Sequence, residues 1–283
     1  MSIRGTFLGV LAAALALSAL PPAYASTGAA VTAAPGTPAG LSTPAATGAL
    51  TGTSTRTGAS AGAGTSAGRA WGAPVLVENF NGGRVDGRRW VVYHSPNAET
   101  NPRTSRATTV SGGALRLKGG FVGGRDLSGG IATRSAQRYG RWEVRLRAER
   151  GAGYTPVALL WPSDQGGGEY AEVDFAEIID PSRRSGGIFV HRGERPQAQR
   201  QMRADFTRWH TVAVDWLPGR LTFWLDGRKV WDYRGPNVPR SRSMHLTLQN
   251  DVTCNQWSPC RNGSTPATVS MYVDWVKIYR ANV

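Results

Sequence analysis

The stretch Gly168-Glu169-Tyr170-Ala171-Glu172-Val173-Asp174-Phe175-Ala176-Glu177-Ile178-Ile179 decides how the rest of this chain is read. Val173, Phe175, Ile178 and Ile179 are strand formers, so the run reads as a β-strand with carboxylates set into it. Side chains alternate along a strand, which puts Glu172 and Asp174 on one face. Strict alternation would send Glu177 to the opposite face. One extra residue near Phe175-Ala176, a β-bulge, would return it to the face of the other two. Acids crowded on one strand face repel each other, which favours protonation of at least one. An ionised carboxylate beside a protonated one is what cleavage of a glycosidic bond requires. A solvated strand with scattered acids, or a cation site, would explain the same spacing.

The flanking segments supply more strands. Before the carboxylates, Val157-Ala-Leu-Leu-Trp161 is a continuous apolar run, suited to a strand buried on both sides. In Arg141-Trp-Glu-Val-Arg-Leu-Arg147, Trp142, Val144 and Leu146 alternate with charged residues, giving a strand with two distinct faces. After the carboxylates come Ile188 to His191, then Thr211 to Trp216, which meets Leu221 to Leu225 across Pro218-Gly219. Asp226-Gly227 makes a tight hairpin to Lys229-Val-Trp231. Val75 to Glu78, Leu115 to Lys118, Met244 to Asn250 and Val269 to Tyr279 add further strands. His94 to Thr108 is polar, Gly119 to Gly130 is glycine-rich, and both read as loops. No long stretch has a helical period. The expectation is an all-β domain, a sandwich or jelly roll of two antiparallel sheets.

The N-terminal part is different. Arg4, an apolar run from Phe7 to Leu20 and Ala23-Tyr24-Ala25 form the pattern of a signal peptide over 1–25. The apolar run is too short to span a bilayer. Residues 26–70 are almost all Ala, Gly, Thr, Ser and Pro, with only Arg56 and Arg69 charged. Such a segment cannot bury enough apolar surface to offset its ordering entropy, and it reads as a disordered tether. The folded domain is expected over 71–283. The protein is expected to be secreted, with a tether that would suit a stalk through a cell wall, with no membrane insertion after cleavage, and to act as a monomer. Cys254 and Cys260 are the only cysteines, and in an exported chain they are expected to form a local disulfide stiffening the loop of Trp257. The formal net charge is +14, nearly all of it from arginine. That excess suits either an anionic polymer or a solvated surface. No nucleic-acid motif is present, so nucleic acid is not an expected partner.

Taken together, the motifs resemble glycoside hydrolase family 16, of the laminarinase or lichenase type. The signature Glu-x-Asp-x-x-Glu is met by Glu172-Val-Asp174-Phe-Ala-Glu177. Glu78-Asn-Phe-Asn-Gly, Tyr139-Gly-Arg-Trp-Glu-Val-Arg, Trp209-His-Thr-Val-Ala-Val-Asp-Trp, Leu221-Thr-Phe-Trp-Leu-Asp-Gly and Tyr272-Val-Asp-Trp-Val-Lys-Ile-Tyr follow in the family's order. The resemblance covers Val75 to Tyr279. It implies a concanavalin-like β-jelly-roll sandwich and a retaining endo-glycosidase acting on β-1,3- or mixed β-1,3/1,4-glucan. It makes Glu172 the nucleophile, Glu177 the general acid/base and Asp174 the residue between that tunes both. His191, Gln249 and Asn250 match positions near the family's cleft. Trp142 and Trp161 are candidates for stacking on sugars or for the core. Trp257 joins the candidate substrate-binding residues. Glu78 and Asp274 match positions that hold a structural calcium in many members; no other cofactor is expected. The run Pro156-Val-Ala-Leu-Leu-Trp161 departs from the family, since Leu159 stands where a cleft Trp is common. The alternatives are a hydrolase of an anionic, algal galactan-type polysaccharide and a catalytically silent carbohydrate-binding relative.

Overall fold

The computed structural model describes residues 71–163 and 170–283. The expected signal peptide and tether, and positions 164–169 before the carboxylate strand, lie outside the described residues. The strands are β1 (Leu76–Glu78), β2 (Trp90–Val92), β3 (Thr108–Ser111), β4 (Ala114–Val122), β5 (Arg125–Leu127), β6 (Gly130–Thr133), β7 (Gly140–Ala148) and β8 (Tyr154–Pro162). They continue as β9 (Ala171–Glu177), β10 (Ser185–Arg192), β11 (Ala198–Arg203), β12 (His210–Leu217), β13 (Arg220–Leu225), β14 (Arg228–Tyr233), β15 (Met244–Val252) and β16 (Thr268–Arg280). Among the described residues there is no α-helix, only one 3₁₀ turn at Ser105–Ala107.

The strands form two antiparallel sheets. The first runs β14-β13-β12-β7-β16-β4-β3, with β1 added to β16 and β5 to β4. The second runs β11-β10-β9-β8-β15-β6-β2. The all-β, two-sheet expectation therefore holds. Alternation explains which residues face between the sheets. Trp142, Val144 and Leu146 of β7 join Val212, Val214 and Trp216 of β12 in the core, where they meet Ala158 and Leu160 of β8 and Leu246 and Leu248 of β15. At ~25 cal/mol per Å² of apolar surface removed from water, these inward rows are the main source of stability.

Trp142 is therefore a core residue, not a sugar platform. It is 1% exposed and stacks on Trp216 with ring centroids 6.2 Å apart. Its strand alternates cleanly, and the first sheet's inner face claims the even positions. Asn250 is also corrected. Gln249 and Asn250 are neighbours on β15, so only one of them can face outward. Asn250 faces in and is fully buried, donating from Nδ2 to Val269 O at 2.8 Å and Leu117 O at 3.2 Å. It ties the second sheet to β16 and β4 of the first.

The expected loop from Gly119 to Gly130 is partly strand. β4 continues through Gly119-Gly120 because the Tyr154 ring lies over Gly119; a Cβ there would be 2.3 Å from Tyr154 Cδ1. β11 was not legible because its residues are polar, as suits an edge strand with one row of unpaired backbone groups. The Asp226-Gly227 hairpin forms as expected, with φ of 50° and 75°.

The connection from β9 to β10 is held by Arg183, which sits in the left-handed region at φ 60° and is fully buried. Its guanidinium donates to five backbone carbonyls, those of Glu149, Gly151, Tyr154, Ile178 and Asp180. One side chain thereby fixes the end of β9 against the start of β8.

Candidate active site

The site is built on β9, and the expected bulge is present. On β8, Leu159 faces Asp174 and Ala158 faces Ala176, which leaves Phe175 without a partner. On the other side, Phe189 faces Asp174 and Gly187 faces Glu177 across the same irregularity. Val173, Phe175, Ala176 and Ile178 are in the core. Glu172, Asp174 and Glu177 are therefore together on the outer face of the second sheet. Directly paired residues share a face. Glu172 lies beside His191, Asp174 beside Phe189 and Leu159, and Glu177 beside Gly187 and Val157. Trp161 follows Leu159 by two and shares that face, so the departure at Leu159 shifts the tryptophan along the strand rather than removing it. Thr247 and Gln249 of β15 lie opposite Leu159 and Val157 and extend the face.

Sequence reasoning missed three members of this site. Tyr170 donates its hydroxyl hydrogen to Glu172 Oε2, and its ring meets Trp161 edge-on with centroids 5.7 Å apart. Asp251 and Arg103 are the others. Arg103 Nη2 lies 2.5 Å from Asp251 Oδ1 and 2.9 Å from Gln249 Oε1, while Gln249 Nε2 donates to Asp251 Oδ2 at 2.8 Å. Tyr170 sits two residues before Glu172 and was within reach of the alternation argument. Arg103 comes from a distant loop, and nothing local announces it.

The electrostatics follow from burial. Desolvation is the main cause that raises all three β9 carboxyls. Glu177 is pushed up to about 7 by burial and then by the charges of Glu172 and Asp251. Glu172 is also raised by burial to about 7, but the Tyr170 hydrogen bond acts the other way and favours its charged form. Asp174 is held well above the usual carboxylate range by burial and by both glutamates. Glu172 and Glu177 are thus raised alike, and of the two Glu172 has the hydrogen bond that favours its charged form. His191 Nε2 lies 3.6 Å from Asp174 Oδ2, and burial lowers the imidazole's pKa, which favours its neutral form. Ligand atoms of Glu172, Asp174 and His191 lie within 4.8 Å of one another. These are the same groups that the acid–base arrangement uses.

Among the expected binding residues, Trp161, His191 and Gln249 are on the site's face. Trp257 is 56% exposed on the loop closed by the Cys254–Cys260 disulfide, which forms as expected. Gly153 N donates to Pro259 O at 2.8 Å, docking that loop beside the start of β8. Glu78 and Asp274 do not fit a calcium as arranged. Glu78 accepts from Phe80 N at 3.0 Å and Trp90 Nε1 at 3.2 Å, with Arg89 3.8 Å away. Asp274 lies 2.6 Å from Arg145 Nη1. Arginines already supply the positive charge that the ion would bring.

Comparison with known proteins gives the family and the fold. The family model described as glycosyl hydrolases family 16 matches residues 95–277. A β-glucanase of Acetivibrio thermocellus is 24% identical over 164 residues, covering 54% of this chain and 46% of that protein. The chain thus spans about half the length of that relative. The crystal structure of laminarinase from Flavobacterium sp. UMI-01 superposes with a TM-score of 0.64 at 18% identity, covering 74% of this chain and 100% of that one. LamA from Z. galactanivorans, crystallised with laminaritriose and laminaritetraose, gives 0.64 at 18% identity over 75% and 100%. At this identity the structures speak for the fold.

Proposed function

Since the chain belongs to glycosyl hydrolase family 16, we propose that it is a retaining endo-glycosidase acting on β-1,3- or mixed β-1,3/1,4-glucan. The observation that carries this reading is the bulge at Phe175, which returns Glu177 to the face of Glu172 and Asp174. Glu172, steadied as a carboxylate by the Tyr170 hydroxyl, attacks the anomeric carbon. Glu177 donates its proton to the departing glycosidic oxygen as that C–O bond breaks. A glycosyl ester on Glu172 results. Glu177, now ionised, takes a proton from water, whose oxygen attacks the same carbon and releases Glu172. Retention needs the two carboxyls ~5–5.5 Å apart, and two long glutamate side chains across a bulge suit that spacing. Asp174, raised in pKa between them, tunes both charges.

A neutral polymer is favoured over an anionic one. The face carries Glu172, Asp174, Glu177 and Asp251, and its cation Arg103 is spent on Asp251. Export after cleavage at Ala25 belongs to the same reading, supported by the leader pattern and by the disulfide.

The test is product release from laminarin-type glucan, mixed-linkage glucan, agar and carrageenan, comparing wild type with Glu172→Gln. Release from a glucan, abolished in the variant and with the β-anomer formed first by NMR, is the expected result. Release only from carrageenan would move the substrate to the anionic class. Binding without release from any polymer would leave a carbohydrate-binding relative.

A further inference from the structure

The outer face of the first sheet, on the opposite side of the sandwich from the carboxylates, carries a row of side chains that neither the core nor the proposed reaction uses. With Trp142, Val144 and Leu146 of β7 in the core, alternation sends Arg145 and Arg147 outward. The register extends this row over the neighbouring strands. Tyr272 of β16 is the partner of Arg147, and Arg116 of β4 is the partner of Tyr272. The Arg147 guanidinium lies over the Tyr272 ring at 4.0 Å from its centroid, and that of Arg116 at 5.7 Å. Trp209, just before β12, takes Arg147 over its ring at 5.2 Å and Arg145 at 5.7 Å. Cation and ring thus alternate from Arg116 through Tyr272 and Arg147 to Trp209, over about three strand spacings, ~14 Å. Lys118 follows Arg116 on the same face of β4.

The carboxylates of this face already have partners. Asp274 lies 2.6 Å from Arg145 Nη1. Glu143 and Asp215 share Arg141, at 2.8 and 2.5 Å. Glu149 accepts from Ser270 N at 2.8 Å and from the Tyr272 hydroxyl at 2.7 Å. Arg116 donates from Nε to Ser270 Oγ at 3.0 Å. Among the described residues, no carboxylate forms an ion pair with Arg116, Lys118 or Arg147. All three are half-buried, so their charge reaches solvent from a fixed place. A ring under a guanidinium holds its plane and leaves its N–H edge for an oxyanion, which it can grip with two parallel bonds.

The row says what it would take. Its rings are covered by guanidiniums, so it offers charge and donors rather than a bare plane for a neutral sugar. It crosses several strands, which fits an extended polymer better than one small anion. The leader pattern places the chain outside the cell, where charged glycans are the polymers to hand, and the sequence has no nucleic-acid motif. We infer that Arg116, Lys118, Arg147, Tyr272 and Trp209 form a docking surface for an anionic polysaccharide, which is held there and not cut. The opposite face stays open to a neutral glucan while the protein is so held. The basic surplus of the chain and its acidic reaction face then have separate uses. The inference does not depend on what the carboxylates cut.

The experiment measures binding of the full chain to dextran sulfate at low salt, with uncharged dextran as the matched control. Neither polymer has β-linked glucose, so neither is a substrate for the proposed reaction. Arg116→Gln/Arg147→Gln removes two guanidiniums of the row. Arg88→Gln/Arg228→Gln removes two exposed arginines elsewhere and leaves the same net charge. Wild type is expected to bind dextran sulfate and not dextran. The row variant should bind roughly tenfold more weakly, and the control pair within about twofold of wild type. Arg116→Lys/Arg147→Lys keeps the charge without the fork and should lose about threefold; it decides the matter if thermal unfolding shows that the glutamine pair does not fold. Equal losses in the row and control variants, or no loss in either, would overturn the surface. So would displacement of dextran sulfate by laminarin-type glucan, which would put the anion on the carboxylate side. Tighter binding of a DNA duplex or of phosphatidylglycerol vesicles than of dextran sulfate would overturn its assignment to a polysaccharide.

Discussion

Tyr170 separates the roles of two glutamates that burial alone would leave alike. Its hydrogen bond goes to Glu172 and not to Glu177, so it favours the charged form of Glu172 alone. Hydrogen bonds to charged groups contribute ~1.5–3 kcal/mol, which is ~1–2 pH units for the group that accepts. Tyr170→Phe is expected to move the acidic limb of the kcat/KM profile upward by about one unit or more, with the alkaline limb little changed. A pH–rate profile on a soluble glucan checks this. Glu177 carries an opposite kind of consequence. Its pKa is raised from 4.5 to about 7, so the folded state holds a proton that the unfolded state has lost. Its burial costs nothing below the unfolded pKa, and the cost grows as pH rises toward the folded value. Glu177→Gln removes that cost. Discounting for partial exposure, the variant is expected to be more stable by on the order of 1 kcal/mol at pH 8, or ~2–4 °C in Tm, with the gain gone by pH 4. Thermal unfolding of both proteins at the two pH values tests it.

At the scale of elements, β9 is positioned from behind by Arg183. Arg183→Met would remove the guanidinium from five backbone carbonyls, of which those of Ile178 and Tyr154 are in buried hydrogen bonds. The expected cost is ~3–5 kcal/mol, and Arg183→Lys, which keeps the charge but has fewer donors, should recover only part of it. Denaturant unfolding of the three proteins gives the comparison. The same elements show what could be read from sequence. β9 was legible, bulge included, because its apolar and acidic residues disagree with strict alternation at a single place. Trp142 was ambiguous because a tryptophan alternating with arginines looks alike whether its inward side meets a second sheet or a sugar. Asn250 was misplaced for want of the strand's parity, which its neighbour Gln249 would have fixed. The Arg103–Asp251 pair joins residues far apart in the chain, and only the pairing of β15 with β6 and β8 brings that end of the strand to the site.

For the molecule as a whole, the formal net charge of +14 and the acidic face of the second sheet point to different partners. Hydrolysis of a neutral glucan is expected to change less than about twofold between low and high salt, because neither substrate nor bond-breaking depends on long-range attraction. Retention on an anionic polymer such as carrageenan should be lost over the same range, by screening. Rates and column retention measured in one salt series separate the two. Chelation is a further check at this scale. With Arg89 near Glu78 and Arg145 on Asp274, dialysis against EDTA is expected to leave Tm within about 1 °C, whereas a resident calcium would be lost and lower it.

The place of β16 has a consequence for how the protein comes into being. β16 is the last strand in the chain, yet it lies inside the first sheet, between β7 and β4, with β1 also attached to it. Until Arg280 has left the ribosome, β4 and β7 have no neighbour to join them, and the sheet is two fragments with open edges. The first sheet is thus completed only when β16 takes its place between β7 and β4. Joining β16 to β4 and β7 pairs segments far apart in sequence, and contacts of that kind make a sheet slow to close.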